Sequence, residues 1–446
     1  MKHKLTLFIT LLVSSLSIGQ DITKFSLADA ESFSVENSQK IKNVQLDLTK
    51  AEKKIWETTA IGLPQINAEG NFNHFIDIPT SVVDATLFNP MAPPGSVAEF
   101  KMGQTYNMTG TINVNQLIFD GSYIVGLQFA KFYKTMAETN INKTTSDTKM
   151  MVREAYYNAL VAQKNVVLMD SIQASTKNLW NQTKVFFNNG FILKEDLDQL
   201  ELAFNRVSVS RSNAGNQYNI AKNLLKLQMG YDLSKDIELT DNLDDILTEI
   251  NTTNPALKLM SLDNNYDYIM VNQKMQLDEF ALKNEKAKYL PSVGAFLSHS
   301  QNAYRNEFDF FKNGGSWYPT TVWGVGVKVP ILSSGQKIMR VQQAKITLEQ
   351  DKNTLADLEN GLKFKELQLK ASFISAYDMM LLEEKNVELA KSIYNNSLKR
   401  KKEGAVNALN VTQMQNQLLQ AEGNYIGAVM QVLKYKIELD KLINQK

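Results

Sequence analysis

Proline is confined to two short zones of this chain, and that confinement restricts the fold more than any other feature. Pro64, Pro79, Pro90, Pro93 and Pro94 fall early, Pro255, Pro291, Pro319 and Pro330 fall past the middle, and none occurs from 95 to 254 or after 330. A proline inside a helix removes a backbone hydrogen bond and clashes with the preceding turn, so the proline-free stretches are where long helices can run. Both are rich in Lys, Glu, Gln, Leu and Ala, and each holds one glycine in a strongly polar setting, Asn188-Asn189-Gly190 and Lys402-Glu403-Gly404. This predicts two helical hairpins, turning at Gly190 and Gly404. A helix from near Gly121 to Asn188 would be on the order of 100 Å long at about 1.5 Å per residue, far more than a globular core requires.

The hairpins are copies of one unit. Their turn glycines are separated by 404 − 190 = 214 residues, and Gly121 and Gly335, which precede the long helices, by 335 − 121 = 214. After the first turn, apolar and small residues fall at Leu197, Leu200, Phe204, Val207, Ala214, Tyr218, Ala221 and Leu225, interrupted by Arg211. After the second they fall at Val411, Met414, Leu418, Ala421, Tyr425, Ala428, Val432, Tyr435 and Leu439. Steps alternating between three and four residues form a heptad seam and imply left-handed coiled-coil packing.

A second duplicated piece lies upstream of each hairpin, where a helical segment ends at Leu63-Pro64 and at Leu290-Pro291 and an alternating strand follows. Here the offset is 290 − 63 = 227, so the first copy carries 227 − 214 = 13 more residues between its strands, in loops. In the first half Tyr106, Met108, Ile112 and Val114 alternate with Thr105, Asn107, Thr109, Thr111, Asn113 and Asn115, one face apolar and the other short and polar. Its expected partner is Ile66 to Asp77, and the second pair is Ser292 to Ser300 with Thr321 to Val329. Each is about the 9 to 11 residues that cross a bilayer when tilted. The intervening segments, 78–104 and 301–320, contain Asn89-Pro90, Pro93-Pro94-Gly95 and Gly314-Gly315 and read as loops.

Composition narrows the partners. With 48 Lys+Arg against 47 Asp+Glu the net charge is +1, without the basic surplus that would neutralise a nucleic-acid backbone, so no nucleic-acid partner is expected. There is no cysteine, which removes disulfides, thiolate metal sites, Cys nucleophiles and an acylated N-terminal Cys together. Lys2 and Lys4, the apolar run Leu5 to Leu16, and the small residues Ser17 and Gly19 have the layout of a secretory signal peptide cleaved after Gly19, and the run is short for a membrane anchor. No later stretch is long and apolar enough for a transmembrane helix, so a membrane crossing would have to use strands. Four strands cannot close a barrel and open edges cannot face lipid, so strands must be pooled between copies; a ring of three would give twelve.

The order of helix, Leu-Pro, strand, loop, strand, Leu117-Ile118-Phe119-Asp120-Gly121, long helix, Gly turn and returning helix, repeated with Val329-Pro330-Ile331-Leu332 and Gly335, resembles the TolC-like outer-membrane efflux channel family from about Ser38 to Lys446. The resemblance implies a mixed α and β membrane protein of two structural repeats. In this scheme 1–19 is the signal peptide. The first repeat, 20–240, has its strand-loop-strand at 66–116 and its helical hairpin at 121–230. The second, 241–446, has an acidic linker, a helix, a strand-loop-strand at 291–330 and a hairpin at 335–445. Pro64, Pro291 and Pro330, with Gly121 and Gly335, mark the junctions of strand and helix.

The same resemblance implies a homotrimer with a 12-stranded outer-membrane barrel set in lipid and a long periplasmic helical barrel. It implies docking at the hairpin turns, Gly190 and Gly404, to a periplasmic adaptor, itself joined to an inner-membrane pump that supplies the energy. No phosphate-binding Gly-Lys-Ser/Thr motif is present and no cofactor is expected. Many family members carry an acylated N-terminal Cys; without one, barrel and trimer must serve as the anchor.

Family carboxylates a few residues beyond the turn glycine ring the pore, and Asp196 holds the matching place after the first turn, flanked by Glu195 and Asp198. The second turn puts Asn410 there, and Val406 stands where other members have a basic gate residue. For the acidic residues a plain helix-start role competes with the pore role. His74 and His299 fall on separate strands without a carboxylate cluster, so neither a metal nor a catalytic site is expected. The acidic stretch Asp236, Glu238, Asp241, Asp244, Asp245 lacks a calcium-loop glycine and reads as a solvated linker. The alternative function, a periplasmic coiled-coil adaptor, leaves the duplicated Leu-Pro-strand unit unexplained, and an exported hydrolase lacks a nucleophile or an acid-base pair.

Overall fold

The computed structural model describes residues 23–312 and 314–443, so the expected signal segment 1–19 lies outside the described residues. In chain order the elements are β1 (Thr23–Phe25), α1 (Leu27–Asn37), α2 (Gln39–Ile61), β2 (Gln65–His74), β3 (Thr80–Asp84), β4 (Val97–Lys101), β5 (Tyr106–Phe119), α3 (Gly121–Asn188) and α4 (Lys194–Met229). Then come β6 (Ile237–Leu239), α5 (Leu243–Thr253), α6 (Tyr266–Ala287), β7 (Ser292–Arg305), β8 (Tyr318–Lys328), α7 (Gln336–Lys402) and α8 (Ala408–Ile443). The proline-free stretches are the two hairpins, with outgoing helices of 68 and 67 residues and returning helices of 36 each. No helix among the described residues is long and apolar enough to cross a membrane.

The chain divides into two compact units that cut across the repeats. Among the described residues, one holds those up to Gln45 with Thr139–Ile269 and those from Asp357 on; the other holds Leu46–Glu138 and Met270–Ala356. Each takes corresponding pieces of both repeats, so the duplicated halves share their cores.

The first unit is built around Tyr156 and Val152 of α3, Leu225 and Met229 of α4, Phe373 of α7 and Val432 and Leu439 of α8, all buried. The seam positions follow the heptad pattern: Leu200, Val207, Ala214, Leu225, Val411, Leu418, Ala428, Val432 and Leu439 are buried, and the rest are partly buried. β1 pairs in parallel with β6, a strand inside the stretch read as a solvated acidic linker. Its acidic side chains stay largely solvated, with Glu238 and Asp244 about half exposed, but two of them also have structural duties. Asp241 accepts the Leu27 amide at 2.7 Å at the start of α1, and Asp236 pairs with Lys222 at 2.7 Å. Arg153 of α3 joins Glu31 of α1 at 2.9 Å and Asp440 of α8 at 3.4 Å, tying three elements at one point.

The second unit holds a four-stranded antiparallel sheet in the order β2-β5-β7-β8. Each Leu-Pro strand pairs with the return strand of its own repeat, and β5 with β7 joins the repeats. The two central strands are 14 residues long, beyond the 9 to 11 expected, because pairing on both sides carries their ladders further than the 10-residue β2 or the 11-residue β8. The segment 78–104 is not wholly loop: β3 and β4 form an antiparallel hairpin within it, and β7 runs on to Arg305 into the segment assigned to the second loop. Gly121, where α3 begins, lies so close to α6 that an added Cβ would stand 2.7 Å from Leu290 Cδ1 and 3.1 Å from the Ala287 carbonyl oxygen.

Candidate functional site

Strand register sorts the side chains of the sheet into two faces, because successive residues point to opposite sides. Ile66 aligns with Val114, Phe72 with Met108, Val114 with Leu297 and Leu297 with Trp323, which assembles an apolar face. Trp323 is 78% and Ile66 69% exposed, so much of that face is open in the single chain, while at its far end Phe308 and Phe310 pack edge-on against Phe72 and Ala303 is fully buried. The other face is a ladder of short polar residues: Asn67 opposite Asn113, Glu69 opposite Thr111, Thr111 opposite Ser300 and Thr109 opposite Asn302. Thr111 and Ser300 hydroxyls lie 3.0 Å apart, and the Thr109 hydroxyl donates to Asn302 Oδ1 at 2.9 Å. His299 and His74 stand on the apolar face on separate strands; His299 Nδ1 is 2.7 Å from the Thr321 hydroxyl and His74 stacks on Tyr106 at 4.5 Å. Pro64 and Pro291 each stand immediately before a strand, and Pro330 lies between β8 and α7.

The hairpin turns share one backbone solution. At the first, the Gly190 amide donates to Phe187 O at 2.9 Å and the Phe191 amide to Phe186 O at 3.0 Å. At the second, Gly404 donates to Lys401 O at 3.1 Å and Ala405 to Arg400 O at 2.9 Å. This paired closure places the glycine in the left-handed region, with φ of 78° at Gly190 and 74° at Gly404. Leu179, Leu200, Tyr394, Ala408, Val411 and Leu418 form a buried core drawn from all four hairpin helices.

Around that core the side chains expected at a pore are placed unevenly. Asp196 is engaged across the hairpins: its Oδ1 accepts the Ala408 amide at 3.2 Å and its Oδ2 lies 3.8 Å from Lys401 Nζ. Its carboxylate thus serves a helix start, but that of α8 and not of its own helix. Asn410 accepts the Ser397 hydroxyl at 2.9 Å, and its amide donates to the Asn407 side chain at 3.0 Å. Glu195 and Asp198 are exposed and make no ion pair among the described residues. A further bridge between hairpins is fully buried, with Gln415 Nε2 donating to Thr176 Oγ1 at 2.6 Å. Sequence reasoning did not find the Asp196–Ala408 or Gln415–Thr176 contacts, since partners more than 200 residues apart leave no local pattern. A basic run, Lys399 to Lys402, stands beside the second turn.

Comparison with known proteins agrees with this arrangement. Residues 262–445 match the family model described as outer membrane efflux protein. The chain is 20% identical over 270 residues to the proteases secretion protein PrtF of Dickeya chrysanthemi, covering 60% of this chain and 57% of that protein. It is 23% identical over 347 residues to the outer membrane protein TolC of Vibrio cholerae, covering 77% and 73%. Among solved structures, CusC superposes with a TM-score of 0.71 at 13% identity over 93% of this chain and 91% of that one. VceC of Vibrio cholerae gives 0.66 at 13% over 93% and 95%. At such identities the structural likeness speaks for the fold, and these neighbours do not favour the adaptor reading.

Proposed function

We propose, from the premise that this chain is a TolC-like outer-membrane efflux protein of a Gram-negative bacterium, that three copies close into a passive conduit from periplasm to exterior. One observation carries the proposal: a four-stranded sheet, apolar on one face and polar on the other, whose outer strands β2 and β8 each pair on one side only among the described residues. An unpaired backbone group in hydrocarbon costs several kcal/mol, so β2 of one copy must meet β8 of the next until no edge remains. The exposed apolar face then turns to lipid and the Asn, Thr and Ser ladder turns to water, the alternation expected of a membrane barrel. Four strands from each of three copies give twelve, enough for an aqueous lumen.

The helical hairpins line the periplasmic part of the duct, with their turns at its mouth. Glu195 and Asp198 supply negative charge there, while Asp196 and Asn410 are held by contacts inside the chain. Repetition of the free carboxylates around a ring concentrates cations in the opening. Energy comes from an inner-membrane pump acting through a periplasmic adaptor, and the conduit performs no chemistry of its own. Sedimentation in detergent together with planar-bilayer conductance tests this. A trimer that conducts and prefers cations is expected; a well-folded, non-conducting monomer contradicts it.

A further inference from the structure

The segment that leaves β7 at Arg305 takes an indirect course to β8. β8 lies on one side of β7, yet Phe308 packs on the two strands of the other side, its ring 6.1 Å from Tyr106 on β5 and 5.6 Å from Phe72 on β2. Phe310 joins it on Phe72 at 6.0 Å and is buried. Arg305 fixes this course. Its guanidinium pairs with Asp309 at 3.2 Å, donates to the Tyr304 and Ser316 carbonyls at 2.9 and 2.7 Å, and lies 6.0 Å from the Phe310 ring. Gly315 leaves room for it, since a Cβ there would stand 2.5 Å from one guanidinium nitrogen. The result is a clamped strap that crosses the apolar face as far as the edge strand β2. Phe311, 6.3 Å from the Phe308 ring, is left 80% exposed.

An aromatic belt at the boundary of lipid and water accounts for rings that stand on strands. It does not account for a connection that crosses two strands and is pinned there by one arginine, because a belt is served by rings anywhere on the rim. The chain also supplies its own control. The corresponding segment of the first repeat folds as the β3–β4 hairpin, and its ring pair, Phe88 and Phe100 at 6.0 Å, meets no ring of the four-stranded sheet among the described residues. The duplicated fold therefore does not require the strap. What sets its landing point apart is that β2 has a free edge. At the opposite free edge Trp323 of β8 stands on the same face as Phe72 and is equally uncovered.

We propose that the strap of each copy laps the seam between β2 and β8 and seats Phe308 and Phe311 on Trp323 of the next copy. The inference rests on the closed-ring reading and adds to it a side-chain lock on the face turned to lipid, outside the strand-to-strand hydrogen bonds. The two uncovered aromatic surfaces share one face and lie at the edges that the ring brings together, so each supplies the cover the other lacks. Aromatic side chains on adjacent strands reach one another even when one diagonal position apart. Lipid would also cover Phe311 and Trp323, but it gives the strap no reason to end on the edge strand.

The full-length chain has no cysteine, so Phe311→Cys and Trp323→Cys can be combined and treated in intact membranes with a short, membrane-permeant bis-maleimide. Linked species of two and three chains should appear on a denaturing gel, in several-fold higher yield than for Phe311→Cys with Val327→Cys, four residues along β8 on the same face. Arg305→Gln, which releases the clamp, should cut that yield several-fold while sedimentation still shows the trimer. Without cross-linker, Phe311→Ser and Trp323→Ala should each lower the temperature at which detergent-solubilised trimers dissociate. The double variant should lower it no further than the larger single one, because two halves of one contact are not additive. Additive shifts, equal linkage to Trp323→Cys and Val327→Cys, linkage confined to single chains, or a yield indifferent to Arg305→Gln would overturn the proposal. Any of these in a trimer that still conducts would defeat the strap and leave the ring standing. A folded monomer in sedimentation would defeat the ring and the strap with it.

Discussion

The turns at Gly190 and Gly404 have the same closing hydrogen bonds and nearly the same glycine φ, yet opposite surfaces. The first is followed by Glu195, Asp196 and Asp198; the second is preceded by Lys399, Arg400, Lys401 and Lys402. Duplication preserved what closes a helix and left free what faces outward, so a shared backbone here says nothing about shared duty. Asp196 and Lys401 make the one ionic contact between the two turns among the described residues.

The largest effects should come from the seam, where the two hairpins ought to respond unequally. Leu200 is wholly buried whereas Met414 is only partly so. Placing an unpaired charge in such packing costs several kcal/mol. Leu200→Asp should abolish outer-membrane yield and Met414→Asp should lower it less, measured by fractionation and thermal melting; equal tolerance of both would break the seam assignment. Next come the turn glycines themselves. Gly190→Ala and Gly404→Ala each force a side chain into left-handed backbone, at about 1–2 kcal/mol, and the two melting shifts should match if the turns are equivalent. A clear difference would show that surroundings and not backbone dominate.

The link between turns should be smaller, about 1 kcal/mol or less for a partly exposed pair. Asp196→Lys faces Lys401 with a like charge and removes the acceptor for the Ala408 amide, so single-channel conductance should rise. Adding Lys401→Asp should restore part of the original behaviour. If the single and double variants conduct alike, the Lys401 contact does not bear on the mouth. The smallest difference concerns acid. Arg211 of the first hairpin hydrogen-bonds Asp170 at 2.6 Å and so lowers its pKa, while the residue 214 positions on is Tyr425, its hydroxyl pushed up to about 12 by burial. A depressed carboxylate stabilises the fold above its unfolded pKa and loses that contribution as pH falls through the folded value. As pH falls below about 4, amide exchange should quicken in α4 more than in α8, and Arg211→Ala should erase the difference.

The long helices were legible because proline spacing, the polar glycines and the heptad steps are local signals that agree with one another. The faces of the sheet were legible from β5 alone, since its alternation is strict, and register then carried that pattern to Ile66 and Trp323. What escaped was set by distant partners. β1 and β6 are three residues each and exist because they pair with one another across the chain, and β3 and β4 sit among the turn-forming prolines that made 78–104 look like loop. At the turns, the sequence marked Asp196 as acidic but could not show that the Ala408 amide, 212 residues away, would claim it.

The central claim, that β2 of one copy meets β8 of the next in a closed ring, can be met directly because the chain has no cysteine of its own. Asn71→Cys on β2 would be combined in turn with Thr320→Cys, Val322→Cys or Gly324→Cys on β8, all on the polar face, and oxidised in intact membranes. At the correct register the account predicts disulfide-linked species of one, two and three chains on a denaturing gel and none larger. A ladder running beyond three, or cross-links found only within single chains at every register, would contradict it.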